Sequence, residues 1–89
     1  MDNVAVKESA IIIDNVCFLI LQCVPHISSI SARSMLYKLH KGYETYGETK
    51  LAQRLEEYSD EFNSLILEII NGNTSANKSL IDLIAYISI

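Results

Sequence analysis

Residues that interrupt regular structure are scarce in this sequence. It has one proline and three glycines among 89 residues, and it contains no low-complexity stretch or internal repeat. Hydrophobic residues make up 49% of the chain and charged residues 20%, a composition that excludes a disordered tail and is typical of a folding domain. The length suffices for one hydrophobic core and not for two. We therefore expect a single domain over residues 1–89.

Basic residues are also few. Seven lysines and arginines stand against eleven acids, so the formal net charge is −4. Binding along a nucleic-acid backbone gains affinity from the counterions that lysine and arginine release, and this chain offers few of these residues. Nucleic acid is therefore a disfavoured partner. The charges are uneven, since residues 26–47 are mildly basic and residues 48–71 carry six acids against two bases.

Two cysteines and two histidines offer little material for a disulfide, a metal site or a catalytic centre. Cys17 and Cys23 are six residues apart in one apolar run, which places their Cα atoms about 9 Å apart in a helix, too far for a disulfide. His26 and His40 lack metal-ligand spacing and stand where surface histidines are ordinary. No glycine-rich loop is present to hold a phosphate. We expect reduced cysteines, no metal, no cofactor and no enzyme activity.

No segment has the pattern of a membrane span or a signal peptide. The first three residues carry no basic charge, and the apolar run over residues 11–24 contains Asp14, Asn15 and Gln22. This run is shorter than the stretch of about 20 apolar residues that a bilayer requires. We expect a cytoplasmic protein with no membrane partner.

The spacing of apolar residues predicts an all-α fold, a small bundle of three to four helices. These helices are expected over residues 7–24, 32–41, 49–71 and 76–88. Pro25 ends the first, Ser31 is the expected N-cap of the second, and Gly42 and Gly47 bracket an expected turn. The first helix is apolar on nearly all sides, and the third carries an apolar seam with alternating spacings of four and three, which is typical of helix packing.

These two apolar surfaces exceed what a chain of this length can easily cover with its own residues. A small domain with so much apolar surface gains burial from a second copy, so we expect a homodimer. The predicted self-association residues lie on the first helix and on the seam of the third: Ile12, Val16, Leu19, Ile20, Leu51, Leu55, Tyr58, Phe62, Leu65 and Ile69.

Tyrosines and charged residues indicate where another protein would bind as a regulatory target. Tyrosine and arginine are favoured at protein interfaces, and acidic clusters dock basic partners, although such clusters are more often a solvated helix face. The predicted partner-binding residues are Arg33, Tyr37, Lys41, Tyr43, Glu57, Asp60 and Glu61. Two other functions stay open: a nucleic-acid-binding co-regulator that uses the basic residues near Lys38, and an inhibitor or immunity protein that presents the acidic face.

The order of these features resembles the YmgB/AriR family of small enterobacterial regulators, also described as two-component-system connector proteins. The resemblance covers residues 8–66. In that stretch ESAI (residues 8–11) opens an apolar helix, and a serine-rich connection leads to a short second helix with SMLYKL (residues 34–39). The third helix carries Leu51 and Leu55.

The resemblance implies a cytoplasmic helical dimer. Such a protein regulates stress responses, acid resistance or biofilm formation through other proteins, with some association with DNA. Pro25 and the additional helix from Ala76 depart from the family's pattern, which puts the mode of assembly and the choice of partner in question.

Overall fold

The computed structural model describes the backbone of residues 2–89 and the side chains of residues 8–89. This part of the chain forms five α-helices and no strands, so the all-α prediction is confirmed. The helices are α1 (Asp2–Gln22), α2 (Ser29–Tyr46), α3 (Glu48–Glu57), α4 (Ser59–Ile70) and α5 (Ala76–Ser88). None of the described helices combines the length and the hydrophobicity of a membrane span.

The boundaries of α2 differ from the prediction at both ends. The helix begins at Ser29, and its N-cap is Ser28, whose hydroxyl accepts a hydrogen bond from the Ser31 amide at 3.1 Å. The prediction that Ser31 caps this helix is therefore wrong, because an earlier serine already satisfies the unpaired amide. The turn expected after Gly42 is also wrong, since α2 continues to Tyr46.

Gly42 lies inside α2 because α2 and α5 approach each other closely at this point. A Cβ atom at position 42 would lie 3.1 Å from the Cα of Ser88 and 3.2 Å from Cδ1 of Leu51. At the other end of the same pair, Asn77 Nδ2 donates a hydrogen bond to Ser31 Oγ at 3.4 Å, across a separation of 46 residues. Gly42 and Ser88 are also 46 residues apart in the sequence, so α2 and α5 run parallel in one register.

The third predicted helix is broken at Tyr58 into α3 and α4, so the expectation of one continuous helix is wrong. Tyr58 has φ −108° and ψ 17°, outside the usual range of an α-helix. Its ring packs edge-to-face against Tyr86 of α5, with 5.5 Å between the ring centroids. α1 packs mainly against α3, whereas α4 packs mainly against α5. The break therefore turns the second half of the seam from α1 towards α5.

One cluster of buried apolar side chains joins all five helices. The seam contributes Leu51, Leu55, Phe62 and Ile69, none of which is more than 3% exposed. The other helices contribute Val16, Ile20, Met35, Leu39, Leu80, Ile84 and Ile87. Most of the seam is thus covered by the protein's own helices.

Candidate protein-binding surfaces

α1 carries large apolar side chains on its outer side as well as on its buried side. Val16 and Ile20 are buried, but Ile11, Phe18 and Leu21 are 57%, 59% and 51% exposed. At 3.6 residues per turn, Ile11 and Phe18 lie on the same side of the helix, and Leu21 lies about 60° from Phe18. We call these three residues the outer face of α1. Contiguous exposed apolar side chains of this size mark sites of protein interaction.

The predicted self-association residues divide between the core and its edge. Six of them are buried within the chain: Val16, Ile20, Leu51, Leu55, Phe62 and Ile69. The other four are half-buried: Ile12, Leu19, Tyr58 and Leu65. Sequence reasoning missed the outer face of α1, since its residues are no less apolar than their buried neighbours and the pattern of α1 marks no preferred side.

A groove runs between α1 and the pair formed by α3 and α4. Its floor is apolar, with Ile12, Val16 and Leu19 from α1, Leu55 from α3 and Phe62 from α4, around a hollow of about 240 Å³. The groove exists because the break between α3 and α4 directs α4 away from α1 and towards α5. Two of the predicted self-association residues, Ile12 and Leu19, are thus partly accessible from this side.

Carboxylates border the same groove. A second hollow of about 190 Å³ extends it towards the start of α1, and its lining includes Glu8 and Glu56. Glu56 borders both hollows and a third, outer one, which it shares with Glu57. The described lining residues of these hollows include no lysine, arginine or histidine. We call the apolar floor together with Glu8, Glu56 and Glu57 the acidic groove.

The two bases of α3 point away from the acidic groove. Arg54 Nε donates a hydrogen bond to the Ile87 carbonyl at 2.6 Å, and Nη2 donates one to the Tyr86 carbonyl at 3.1 Å. Carbonyls at a helix C-terminus lack partners within the helix and attract positive charge, so Arg54 closes the end of α5. Its guanidinium carbon lies 4.9 Å from the centroid of the Tyr46 ring, and Lys50 Nζ lies 5.4 Å from the same centroid.

The basic and aromatic residues predicted to bind a partner are only partly brought together. Arg33, Tyr37 and Lys41 are spaced four residues apart along the exposed side of α2, and Tyr37 is 60% exposed. Lys41 Nζ lies 5.6 Å from the Tyr37 ring centroid and 3.7 Å from the Glu44 carboxylate. Tyr43 lies about 120° from Tyr37 around the helix, so it does not join this patch.

Lys38 also has a partner within α2, since its Nζ donates a hydrogen bond to Ser34 Oγ at 2.8 Å. Together with Tyr37 and Lys41 it borders a hollow of about 280 Å³ between α2 and α5. Lys38 and Lys41 are therefore held along the helix by neighbouring side chains.

The predicted acidic face is divided by the break between α3 and α4. Asp60 and Glu61 lie in the first turn of α4, where a negative charge is favoured by the helix dipole, and they border a hollow between α4 and α5. Glu57 lies at the end of α3 and adjoins Glu56 at the acidic groove. The predicted acidic residues therefore belong to two different surfaces.

The two cysteines are poor nucleophiles in this fold. Burial raises the pKa of the Cys17 thiol, with a further contribution from the Asp14 carboxylate, and burial also raises the pKa of Cys23. A thiol with a raised pKa stays protonated near neutral pH and reacts slowly. In the part of the chain that the structure describes, no three histidine, cysteine or acidic residues are grouped to hold a metal ion.

No family model, no curated protein and no solved structure matches this chain. The resemblance to the YmgB/AriR family therefore rests on the pattern of residues 8–66 alone.

Proposed function

We propose that this protein is a small non-enzymatic regulator or adaptor that works by packing its helices against other protein chains, beginning with a second copy of itself. The observation that supports this proposal is the outer face of α1, where Ile11, Phe18 and Leu21 are each more than half exposed. Removing apolar surface from water is favourable by roughly 25 cal/mol per Å², so covering this face with a partner helix stabilises a complex.

Two further exposed apolar side chains lie on α4, beside the acidic groove. Leu67 and Ile70 of α4 are 60% and 40% exposed, and they follow the groove residue Asn63 by four and seven residues, which places them on the same side of α4. These two side chains lie on the groove side, whereas Ile11 and Phe18 lie about 100° around α1 from the groove residues Ile12 and Leu19, so the two sets form separate surfaces. A standard interface buries about 800 Å² on each partner, and a dimer formed through the outer face of α1 alone is of the smaller, concentration-dependent kind.

An antiparallel pairing of two α1 helices would satisfy the polar residues next to the outer face. Ile11 and Phe18 are equally far from the point midway between Asp14 and Asn15, so Ile11 of each copy would lie opposite Phe18 of the other. The Asn15 amide of each copy would then be able to donate a hydrogen bond to Asp14 of the other. A polar contact of this kind within an apolar interface fixes the register of two helices.

The regulatory role is the part of the proposal that rests on the resemblance to the YmgB/AriR family. That resemblance implies a dimer that acts on stress, acid-resistance or biofilm regulation through a target protein. A dimer formed through the outer face of α1 would leave the patch on α2 and the acidic groove available to the target.

Sedimentation equilibrium on the full chain, at several micromolar concentrations, tests the self-association. The test variant is Phe18→Asp, and the matched control is Ile30→Asp, which places the same charge at another exposed apolar residue (77% exposed) at the start of α2. We expect the wild type and Ile30→Asp to dimerise and Phe18→Asp to be monomeric with an unchanged helical circular dichroism spectrum. A monomeric wild type, or a dimer that Phe18→Asp leaves intact, would overturn the proposal.

A further inference from the structure

We infer that the acidic groove is a docking site for a basic amphipathic helix of another protein. The apolar side chains of that helix enter the groove, and its lysines or arginines face the carboxylates at the rim. This inference rests on the proposed function, since it names the class of partner that the adaptor binds.

The floor of the acidic groove accepts side chains and not a whole helix. Of the residues that form it, Leu55 and Phe62 are each 3% exposed, and Ile12 and Leu19 on the α1 side are half-buried. The hollow of about 240 Å³ is too small for a helix, which is at least about 10 Å across. A partner helix therefore lies along the mouth of the groove and inserts the apolar residues of one face.

Among the side chains that the structure describes, no base pairs with the carboxylates at the rim of the acidic groove. Within the described residues, the ion pairs involve Glu44 of α2, and none of them involves Glu8, Glu56 or Glu57. Arg54 is bound to the carbonyls of α5, and the Lys50 ammonium lies over Tyr46. Complementary charge steers a partner to such a rim and sets its specificity, so a helix with basic flanks fits this surface.

The length of the acidic groove defines the length of the partner helix. From Glu8 to Leu19 the groove follows α1 over eleven residue steps, which is about 16 Å or three helical turns. The partner helix therefore has apolar residues at positions i, i+4 and i+7, with lysine or arginine on either side of this stripe.

A second copy of this chain is a poorer occupant than a different protein. α1 carries Asp2, Glu8 and Asp14 against Lys7, so the rim of the groove repels it. The basic side of α2 has the right charge, but α2 and the groove belong to different surfaces of the molecule. If α2 of one copy occupied the groove of the next, each assembly would keep a free α2 at one end and a free groove at the other. Such head-to-tail assemblies keep adding copies unless the rotation between neighbours closes a ring.

The test uses two synthetic peptides of about four helical turns, or 14 residues, labelled for fluorescence anisotropy. The lysine peptide has leucines along one face and lysines on both sides of them. The glutamate peptide is identical except that each lysine is replaced by glutamate. On the full chain we expect the lysine peptide to bind with a micromolar Kd and the glutamate peptide to bind at least about tenfold more weakly.

Two charge-reversed variants identify the groove as the binding site. We expect Glu56→Lys to weaken binding of the lysine peptide by about tenfold or more. The matched control is Glu61→Lys, which changes the net charge equally but lies on α4 outside the groove, and we expect it to change the Kd less than about twofold. Equal binding of the two peptides, or equal weakening by the two variants, would overturn the inference. It would also be overturned if sedimentation showed the wild type forming open-ended assemblies whose mass increases with concentration.

The same samples separate this inference from the proposed self-association. If the wild type sediments as a monomer but binds the lysine peptide through Glu56, self-association fails and the docking site stands. If the wild type is a dimer sensitive to Phe18→Asp but does not distinguish the two peptides, self-association stands and the docking site fails.

Discussion

Arg54→Ala tests whether the guanidinium that closes α5 holds the end of this helix against α3. The substitution removes two hydrogen bonds to the Ile87 and Tyr86 carbonyls, of 2.6 and 3.1 Å, and the contact with the Tyr46 ring. A hydrogen bond to a charged group contributes about 1.5–3 kcal/mol when buried, and an exposed cation–π contact about 0.5–1 kcal/mol. Water can replace the partly exposed bond to Tyr86. We therefore expect a loss of about 2–3 kcal/mol.

Circular dichroism during thermal and urea unfolding measures this loss. For a domain of this size, 1 kcal/mol corresponds to a change of about 4–8 °C in Tm, so Arg54→Ala is expected to lower Tm by about 10–20 °C. The matched control is Lys50→Ala, which removes only a contact with the Tyr46 ring and should cost about 0.5–1 kcal/mol. A loss for Arg54→Ala no larger than that for Lys50→Ala would contradict a stabilising role for the bonds between Arg54 and α5.

Other predictions concern the close approach of α2 to α5 and the two thiols. Gly42→Leu should lower the free energy of unfolding by about 2–3 kcal/mol in urea titrations, because even a Cβ would lie 3.1 Å from Ser88; an unchanged midpoint would contradict the register of these helices. Cys17 and Cys23 should react with a disulfide reagent more slowly in the folded protein than in urea, because burial raises the pKa of both. Because the pKa of each thiol is higher in the folded chain than in the unfolded chain, the protonated thiols contribute to the free energy of unfolding. This contribution is complete below the unfolded pKa of about 8.5 and is lost as pH rises through the folded pKa. The urea midpoint should therefore decrease as the pH is raised above about 8.5. The decrease should be less steep in a variant with both cysteines changed to alanine, and an equal dependence of the midpoint on pH in the two proteins would contradict this.

Local spacing was sufficient to predict that the chain is helical and that the seam residues pack against other helices, although the sequence assigned them to self-association and they are buried against the chain's own helices. Leu51, Leu55 and Phe62 recur at helical spacing and are buried, as a seam of this kind requires. The break at Tyr58 was not predictable from this pattern, because Tyr58 itself continues the seam. The break depends instead on α4 packing against α5, which comes later in the chain and brings Tyr86 to the Tyr58 ring.

The exposed surfaces were harder to predict because they depend on which sides of each helix the other helices leave uncovered. The pattern of α1 is apolar in all directions, and only the positions of α2 and α3 leave Phe18 outward. Glu56 has the spacing of an ordinary solvated face, and only the position of α1 makes it the rim of a groove. A glycine at position 42 is typical of a helix end, yet Gly42 lies inside α2, where it allows the close approach of Ser88, 46 residues away.

We propose that the outer face of α1 holds two copies of the chain together. The most direct test is the mass of the native species, measured by sedimentation equilibrium for the wild type and for Phe18→Asp. We expect twice the chain mass of 10.0 kDa for the wild type and the mass of one chain for the variant. One chain mass for the wild type at every concentration, or twice that mass for both proteins, would contradict it.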